Sequence, residues 1–379
     1  MTRLDCYPLV LLALGVPIFA AALEPEFVEM PLGAAMGNYA AVAMGDIDGD
    51  GYAEILSGRR DGEEGLVLFV YDGNDWDQRA ITEDNGYGGV ALADVTGDGV
   101  LDLLACVTEG RPQCLEVFEG SVAGGKMQFA RRSNPFEGAK VDSLAVADID
   151  GDGDLDIALA TGGEGIQILL NDGTGDFRVL GLATNTYEDT GVALGDVNGD
   201  GRPDAVSANH AGDDLRLFLC SSEGAASYSG PFSEGLEILP GIGFGVAIAD
   251  LNADGHGDIA VGRQDGVRVY LGNGCSGAEG DWWTEASLPY AGRRAMQVSA
   301  ADLNGDGLPD LTFSSESGIV ILPGGADWFS GRLSAGQPEK GEYSGICLAD
   351  WDGDGDLDLA CSSLQGNGVH LYRNVAGDR

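Results

Sequence analysis

One nine-residue phrase returns seven times along this chain, and no other feature constrains the fold as much. It reads DIDGDGYAE from Asp46, DVTGDGVLD from Asp94, DIDGDGDLD from Asp148 and DVNGDGRPD from Asp196. It continues as DLNADGHGD from Asp250, DLNGDGLPD from Asp302 and DWDGDGDLD from Asp350. Successive starts lie 48, 54, 48, 54, 52 and 48 residues apart. So regular a period marks an array of similar supersecondary units.

Within each phrase, oxygen-bearing side chains stand at positions 1, 3, 5 and 9, and position 6 is always glycine. Calcium takes six to eight oxygens at about 2.3–2.6 Å, in a loop that curls round the ion. Alternate acidic residues place carboxylates inside such a curl, and the glycine permits the turn that aims the position-7 carbonyl inward. The candidate ligands are Asp46, Asp48, Asp50, Tyr52 and Glu54 in the first loop, and Asp94, Thr96, Asp98, Val100 and Asp102 in the second. The third supplies Asp148, Asp150, Asp152, Asp154 and Asp156; the fourth Asp196, Asn198, Asp200, Arg202 and Asp204. The fifth supplies Asp250, Asn252, Asp254, His256 and Asp258; the sixth Asp302, Asn304, Asp306, Leu308 and Asp310; the seventh Asp350, Asp352, Asp354, Asp356 and Asp358. Up to seven Ca2+ ions are expected. The second loop, where Thr96 is a weaker ligand than Asp or Asn, is expected to be the weakest, and charge count ranks the third and seventh, with five aspartates each, as the strongest.

These loops are not EF-hands. The bidentate Glu required at position 12 is replaced by Ser57, Ala105, Leu159, Ser207, Val261, Phe313 and Cys361. Short apolar runs flank each loop, such as Val90–Ala93 before and Leu103–Val107 after, which predicts a β-hairpin. A third strand follows (Gly65–Tyr71, Gly165–Leu170, Gly266–Leu271, Gly368–Tyr372), then a more polar fourth segment such as Asp176–Leu182. Four strands per 40–50 residues, repeated, make a propeller blade. The expected fold is therefore all-β: a seven-bladed β-propeller of four-stranded blades with a calcium-binding loop in each. The seventh unit is one strand short, and a spare strand at Glu26–Pro31 is expected to complete it and close the ring.

These phrases, with stretches such as DIALATGGEGIQILLNDG (156–173) and DAVSANHAGDDLRLFL (204–219), resemble the FG-GAP/VCBS repeat family, which includes the propeller head of integrin α subunits. The resemblance covers nearly all of residues 23–379. A literal Phe-Gly occurs once, at Phe244–Gly245; Tyr39, Tyr87 and Tyr343 stand at the same distance, seven residues before a loop, while GAP itself is absent. The resemblance implies ligand binding on the face opposite the metal loops. The turns there carry Arg59, Arg60, Arg111, His210, Arg263 and Gln365, and Tyr87, Tyr187, Arg293 and Arg294. One reading is a site where arginines grip a carboxylated or sulfated glycan and tyrosines stack on sugar rings. The plainer reading, which is preferred, pairs the arginines with Asp61, Glu109 and Asp265 and packs the aromatics between blades.

Composition narrows the partners. The chain carries 62 acidic and 20 basic residues, a formal net charge of −42. Nucleic acid and anionic membrane surfaces both need cations on the protein, so neither is expected, nor is membrane insertion; a monomer is expected. The loops hold 26 of the 62 acids, which places much of the acidity in metal sites. Residues 1–22 read as a secretory signal: Arg3, an apolar run from Leu9, and Ala20 and Ala22 before Leu23. Export would leave six cysteines, with Cys106–Cys114 and Cys347–Cys361 as expected disulfides, and Cys220 with Cys275 as a weaker pairing. Enzymatic signatures are scarce: of three histidines, His210 alone is placed to act as a base, and no G-x-S-x-G or H-E-x-x-H occurs. The leading expectation is a secreted binding or adhesion module for a protein or polysaccharide. The alternatives are a polysaccharide-degrading enzyme built on a propeller, and a scaffold subunit.

Overall fold

The computed structural model describes residues 25–376 apart from 33–38, 61–64, 85, 109–112, 133–135, 138–139, 182–188, 210–213, 221–235, 241–242, 275–281, 287, 289–293, 316–317, 325–342 and 364–367. Each loop joins two antiparallel strands. The strand before it is the innermost of its blade: Tyr39–Gly45, Tyr87–Ala93, Val141–Ala147, Asp189–Gly195, Gly243–Ala249, Ala295–Ala301 and Tyr343–Ala349. The second strand begins at position 9 of the loop in all seven blades, from Glu54–Arg59 to Asp358–Ser363. The innermost strands contact one another in sequence order, and the last touches the first, so the ring is closed.

Blades one, three, four and five have four strands each, and blade seven gains its fourth from the chain start. Phe27–Met30 pairs antiparallel with Val369–Asn374, with Phe27 opposite Asn374 and Met30 opposite Leu371. The expected closure by the spare N-terminal strand is thus met. It covers the outer edge of blade seven, which would otherwise offer unpaired backbone groups. In blade two the third strand is long, Gln113–Ala123, and pairs with both Lys126–Arg131 and Phe136–Glu137. In blade six, three strands fall among the described residues.

The core is divided among the seams between blades. Among the described residues seven buried clusters stand out, and each draws on two consecutive blades. Alternation along a strand explains this. Ile55 packs with Trp351 and Leu371 of blade seven, whereas its neighbour Leu56 packs with Leu92 and Leu103 of blade two. Middle strands are therefore apolar on both faces, as in Asp102–Val107, where every residue is buried. The apolar residue at loop position 2 belongs to the same seams: Ile47, Val95, Ile149, Val197, Leu251, Leu303 and Trp351 are each 0–4% exposed.

The expectations for Cys106–Cys114 and Cys347–Cys361 are corrected. Cys106, Cys114, Cys220, Cys347 and Cys361 are thiols in the structure. The ladder puts Leu115 opposite Cys106, and Ala360 opposite Cys347, so each cysteine is one residue out of step with its expected partner. In blade seven that step turns the side chains to opposite faces: Cys347 meets the seam with blade one and Cys361 the seam with blade six. Cys275 and the signal segment 1–22 lie outside the described residues.

Candidate functional site: metal loops and channel mouth

All seven loops share one hydrogen-bond plan. The position-1 aspartate accepts backbone N–H groups with both oxygens: one takes position 4 or 5 (both, in the fourth loop), and the other takes the position-6 glycine. In the first loop Gly49 N and Gly51 N donate to Asp46 at 2.7 and 3.1 Å; in the fifth Asp254 N and Gly255 N donate to Asp250 at 3.0 and 2.8 Å. The position-6 glycines have φ between +84° and +98°, a region closed to side chains. The position-5 carboxylate accepts the position-7 N–H in every loop, as Asp200 does from Arg202 at 3.0 Å. Where position 3 is asparagine, its amide oxygen accepts the position-5 N–H, at 2.9 Å for Asn198, Asn252 and Asn304. The curl is thus set by the loop's own donors and acceptors.

Position 9 does something the sequence reading did not foresee. Its carboxylate is buried and clamps backbone. In all seven loops it accepts the position-2 N–H, from Ile47 to Glu54 at 2.8 Å and from Trp351 to Asp358 at 2.7 Å. In six loops the second oxygen accepts the N–H at the end of the third strand: Gly120 to Asp102, Asn171 to Asp156, Cys220 to Asp204, Gly272 to Asp258, Gly324 to Asp310 and Asn374 to Asp358, at 2.7–2.9 Å. One side chain therefore joins loop, second strand and third strand. Burial raises these carboxyls: Glu54 to about 8, Asp102 and Asp156 to about 6, and Asp204, Asp258, Asp310 and Asp358 to about 7. The residue is still close to the other acids. Carboxylate oxygens of Asp148, Asp150 and Asp156, of Asp350, Asp352 and Asp358, and of Asp46, Asp48 and Asp50 converge to within 4.8 Å of one another in three loops. Asp150 Oδ1 and Asp352 Oδ1 are buried without a hydrogen-bond partner. All-oxygen, anionic, convergent and partly unsatisfied, these loops fit a hard cation.

At the other end of the ring the innermost strands surround a channel mouth of about 260 Å³. All seven blades line it, and its polar groups include Ser143, Thr190, Gln297 and Ser344. Arg60 and Asp142 are its charged residues; Asp142 is tied to Lys140 at 2.9 Å. Arg294 lies beside the mouth, its guanidinium carbon 4.7 Å from the ring centroid of Phe244, a lining residue. Neither Arg60 nor Arg294 makes an ion pair among the described residues. The other expected contacts divide. Arg263 pairs with Asp265 at 3.4 Å, and Arg59 lies 5.2 Å over the Tyr39 ring. Tyr39 and Tyr87 are fully buried packing residues. Arg111, His210, Arg293, Tyr187 and Gln365 lie outside the described residues. The sequence reading also missed Asp189 on the innermost strand of blade four. It is 1% exposed, accepts from Asn209 Nδ2 at 3.4 Å, and is raised by burial to about 6.

The FG-GAP-like repeat matches this sequence over residues 46–105, 148–207 and 214–313, together more than half of the chain. The chain belongs to the FG-GAP-like repeat family. This FG-GAP propeller is 34% identical over 169 residues to the phosphatidylinositol-glycan-specific phospholipase D of Rattus norvegicus, a match that covers 35% of the chain and 20% of the enzyme. The chain thus matches about a fifth of that relative's length. Among solved structures it is similar to BBS1N in complex with ARL6DN, with a TM-score of 0.60 and 12% identity over 92% of this chain and 96% of that one. It is also similar to an Agrocybe aegerita lectin that recognises non-reducing terminal N-acetylglucosamine, with a TM-score of 0.52 and 17% identity over 93% and 87% of the two chains. At these identities the structural likenesses establish the fold.

Proposed function

We propose that this FG-GAP propeller is an exported, calcium-carrying binding module that takes an anionic polysaccharide or protein ligand at the channel mouth. The observation that carries the reading is the pair Arg60 and Arg294. In a chain of net charge −42, two arginines without an ion pair among the described residues stand at an opening that all seven blades line. A guanidinium grips carboxylate or sulfate through paired N–H donors. Both similar solved propellers are described with a partner, one a protein and one a sugar terminus, which supports a binding role.

Calcium would be held by the carboxylates at positions 1, 3 and 5 and the carbonyl at position 7, with the position-9 carboxylate bracing the loop and, in loops three and seven, standing beside the ion as well. Its role is structural, since it neutralises acids that otherwise repel one another. With dissociation constants of about 10⁻⁴–10⁻³ M, each filled site adds roughly 0.4–1.4 kcal/mol at about 1 mM free calcium. Two experiments test the proposal. Thermal melts in EDTA and in millimolar calcium should differ by several degrees, and coincident curves would refute the calcium reading. A screen of acidic glycans and surface proteins should find a ligand whose retention falls with Arg60→Ala and Arg294→Ala; retention unchanged in both variants would refute the channel-mouth site.

A further inference from the structure

The seventh loop contains a cation of its own. Arg373, on the third strand of blade seven, donates from Nη2 to Asp354 Oδ2 at 2.9 Å and brings Nε into ion-pair contact with Asp352 Oδ2, without a hydrogen bond from Nε. It thereby bridges the carboxylates at positions 3 and 5. The Arg373 and Asp352 side chains are 28% and 10% exposed, so the Asp352 end is partly covered, while the Asp354 end is open to solvent. Partial cover at Asp352 reduces solvent screening there, and one guanidinium set between two carboxylates offsets their mutual repulsion.

No other blade has a basic residue at this third-strand position, although in blade one Arg79 also acts on the position-3 Asp48 from another strand. The strand registers pair Leu359 with Tyr372, and Arg373 is the next residue. By the same register, Phe69, Phe118, Leu169, Phe218, Tyr270 and Leu322 stand opposite the equivalent second-strand residues in the other six blades. The residues that follow them are Val70, Glu119, Leu170, Leu219, Leu271 and Pro323. Arg373 is the single basic residue at this place. It also lies opposite Val28 of the strand that closes the ring.

We propose that Arg373 is a built-in counter-cation of loop seven, which holds that loop folded without calcium and competes with calcium for it. This rests on the calcium reading of the loops. Loops three and seven both carry five aspartates, and charge count ranks them equal. Blade three has Leu170 where blade seven has Arg373. Loop three therefore depends on calcium and fills first, whereas a cation entering loop seven must displace the guanidinium from Asp352 and Asp354. The blade assembled from both chain ends is the one whose loop needs no metal.

Equilibrium dialysis at a fixed free calcium concentration tests the competition. In the wild-type protein, Asp148→Asn should remove one bound calcium per chain and Asp350→Asn none, while Arg373→Gln should add one. Terbium luminescence excited through Trp351, at position 2 of loop seven, should rise in Arg373→Gln and fall back when Asp350→Asn is added. Equal losses from Asp148→Asn and Asp350→Asn, with no gain from Arg373→Gln, would overturn the competition. The counter-cation role is read separately by melting in EDTA. There Arg373→Gln should lower the midpoint, and adding Asp352→Asn with Asp354→Asn should restore it; no loss, or a loss without restoration, would overturn that role. Wild-type protein that binds no calcium in any loop would remove the calcium reading and the competition together, leaving the EDTA result to decide the counter-cation alone.

Discussion

The backbone N–H of Ile47 donates to Glu54 Oε2 at 2.8 Å, while Oε1 of the same carboxyl is buried without a hydrogen-bond partner. The six other blades place aspartate here and satisfy both oxygens. One extra methylene leaves blade one with an unsatisfied polar atom, which costs about 1–3 kcal/mol. Glu54→Asp should therefore raise stability, by about 1 kcal/mol after repacking losses, visible as a higher melting midpoint. A lower midpoint would show that the longer side chain is needed in this blade.

Clamp and loop carboxylates should separate by mutation in the absence of metal. Asp258→Ala strips the buried Leu251 and Gly272 N–H groups of their acceptor and should cost about 3 kcal/mol or more. Asp254→Ala, in the exposed part of the same loop, should cost less than about 1 kcal/mol in EDTA but abolish calcium binding at that loop. Urea denaturation of both variants checks the contrast; equal losses would show that position 9 is no clamp.

Ala253 has φ +58°, alone among the described non-glycine residues in having a positive value. It stands at loop position 4, where the six other loops have glycine. A left-handed alanine costs about 1–2 kcal/mol, partly offset by the greater freedom glycine loses on folding. Ala253→Gly should stabilise the protein by about 0.5–1 kcal/mol, and a loss of stability in a urea titration would contradict this.

Acid should help the metal-free protein. The clamps have carboxyl values of about 6–8 in the folded state, above the ordinary 3.8–4.5 range of an unfolded chain. Between those limits the folded state binds more protons, so the contribution of these groups is fully present below about pH 4 and is lost as pH rises through 6 to 8. In EDTA, urea midpoints should fall from pH 5 to pH 8. Calcium should flatten the trend. A midpoint in EDTA that rises over this interval would refute the assignment.

Much of the ring was legible because its cause is periodic. Seven loop phrases count the blades, the apolar residues at position 2 mark the seams, and the missing strand of the seventh unit points to Phe27–Met30. The role of position 9 was hidden because a backbone acceptor and a metal ligand are the same residue type; only burial separates Asp258 from Asp254. Disulfide pairing failed because the hairpin register decides which neighbour faces which. Cys347 stands opposite Ala360, one residue from Cys361, and sequence spacing alone does not fix that step. Arg373 escaped notice because its target lies on another strand, a relation the repeat pattern does not encode.

Ring closure sets a schedule for synthesis. Strand Phe27–Met30 emerges from the ribosome long before its partner Val369–Asn374. Until then the growing chain is an open arc, with apolar faces uncovered on both terminal blades and no mate for its first strand. Such an arc is a target for chaperones and for pairing between neighbouring nascent chains. Each molecule can close its ring only after Val369–Asn374 has been made, and until then Phe27–Met30 waits for its mate.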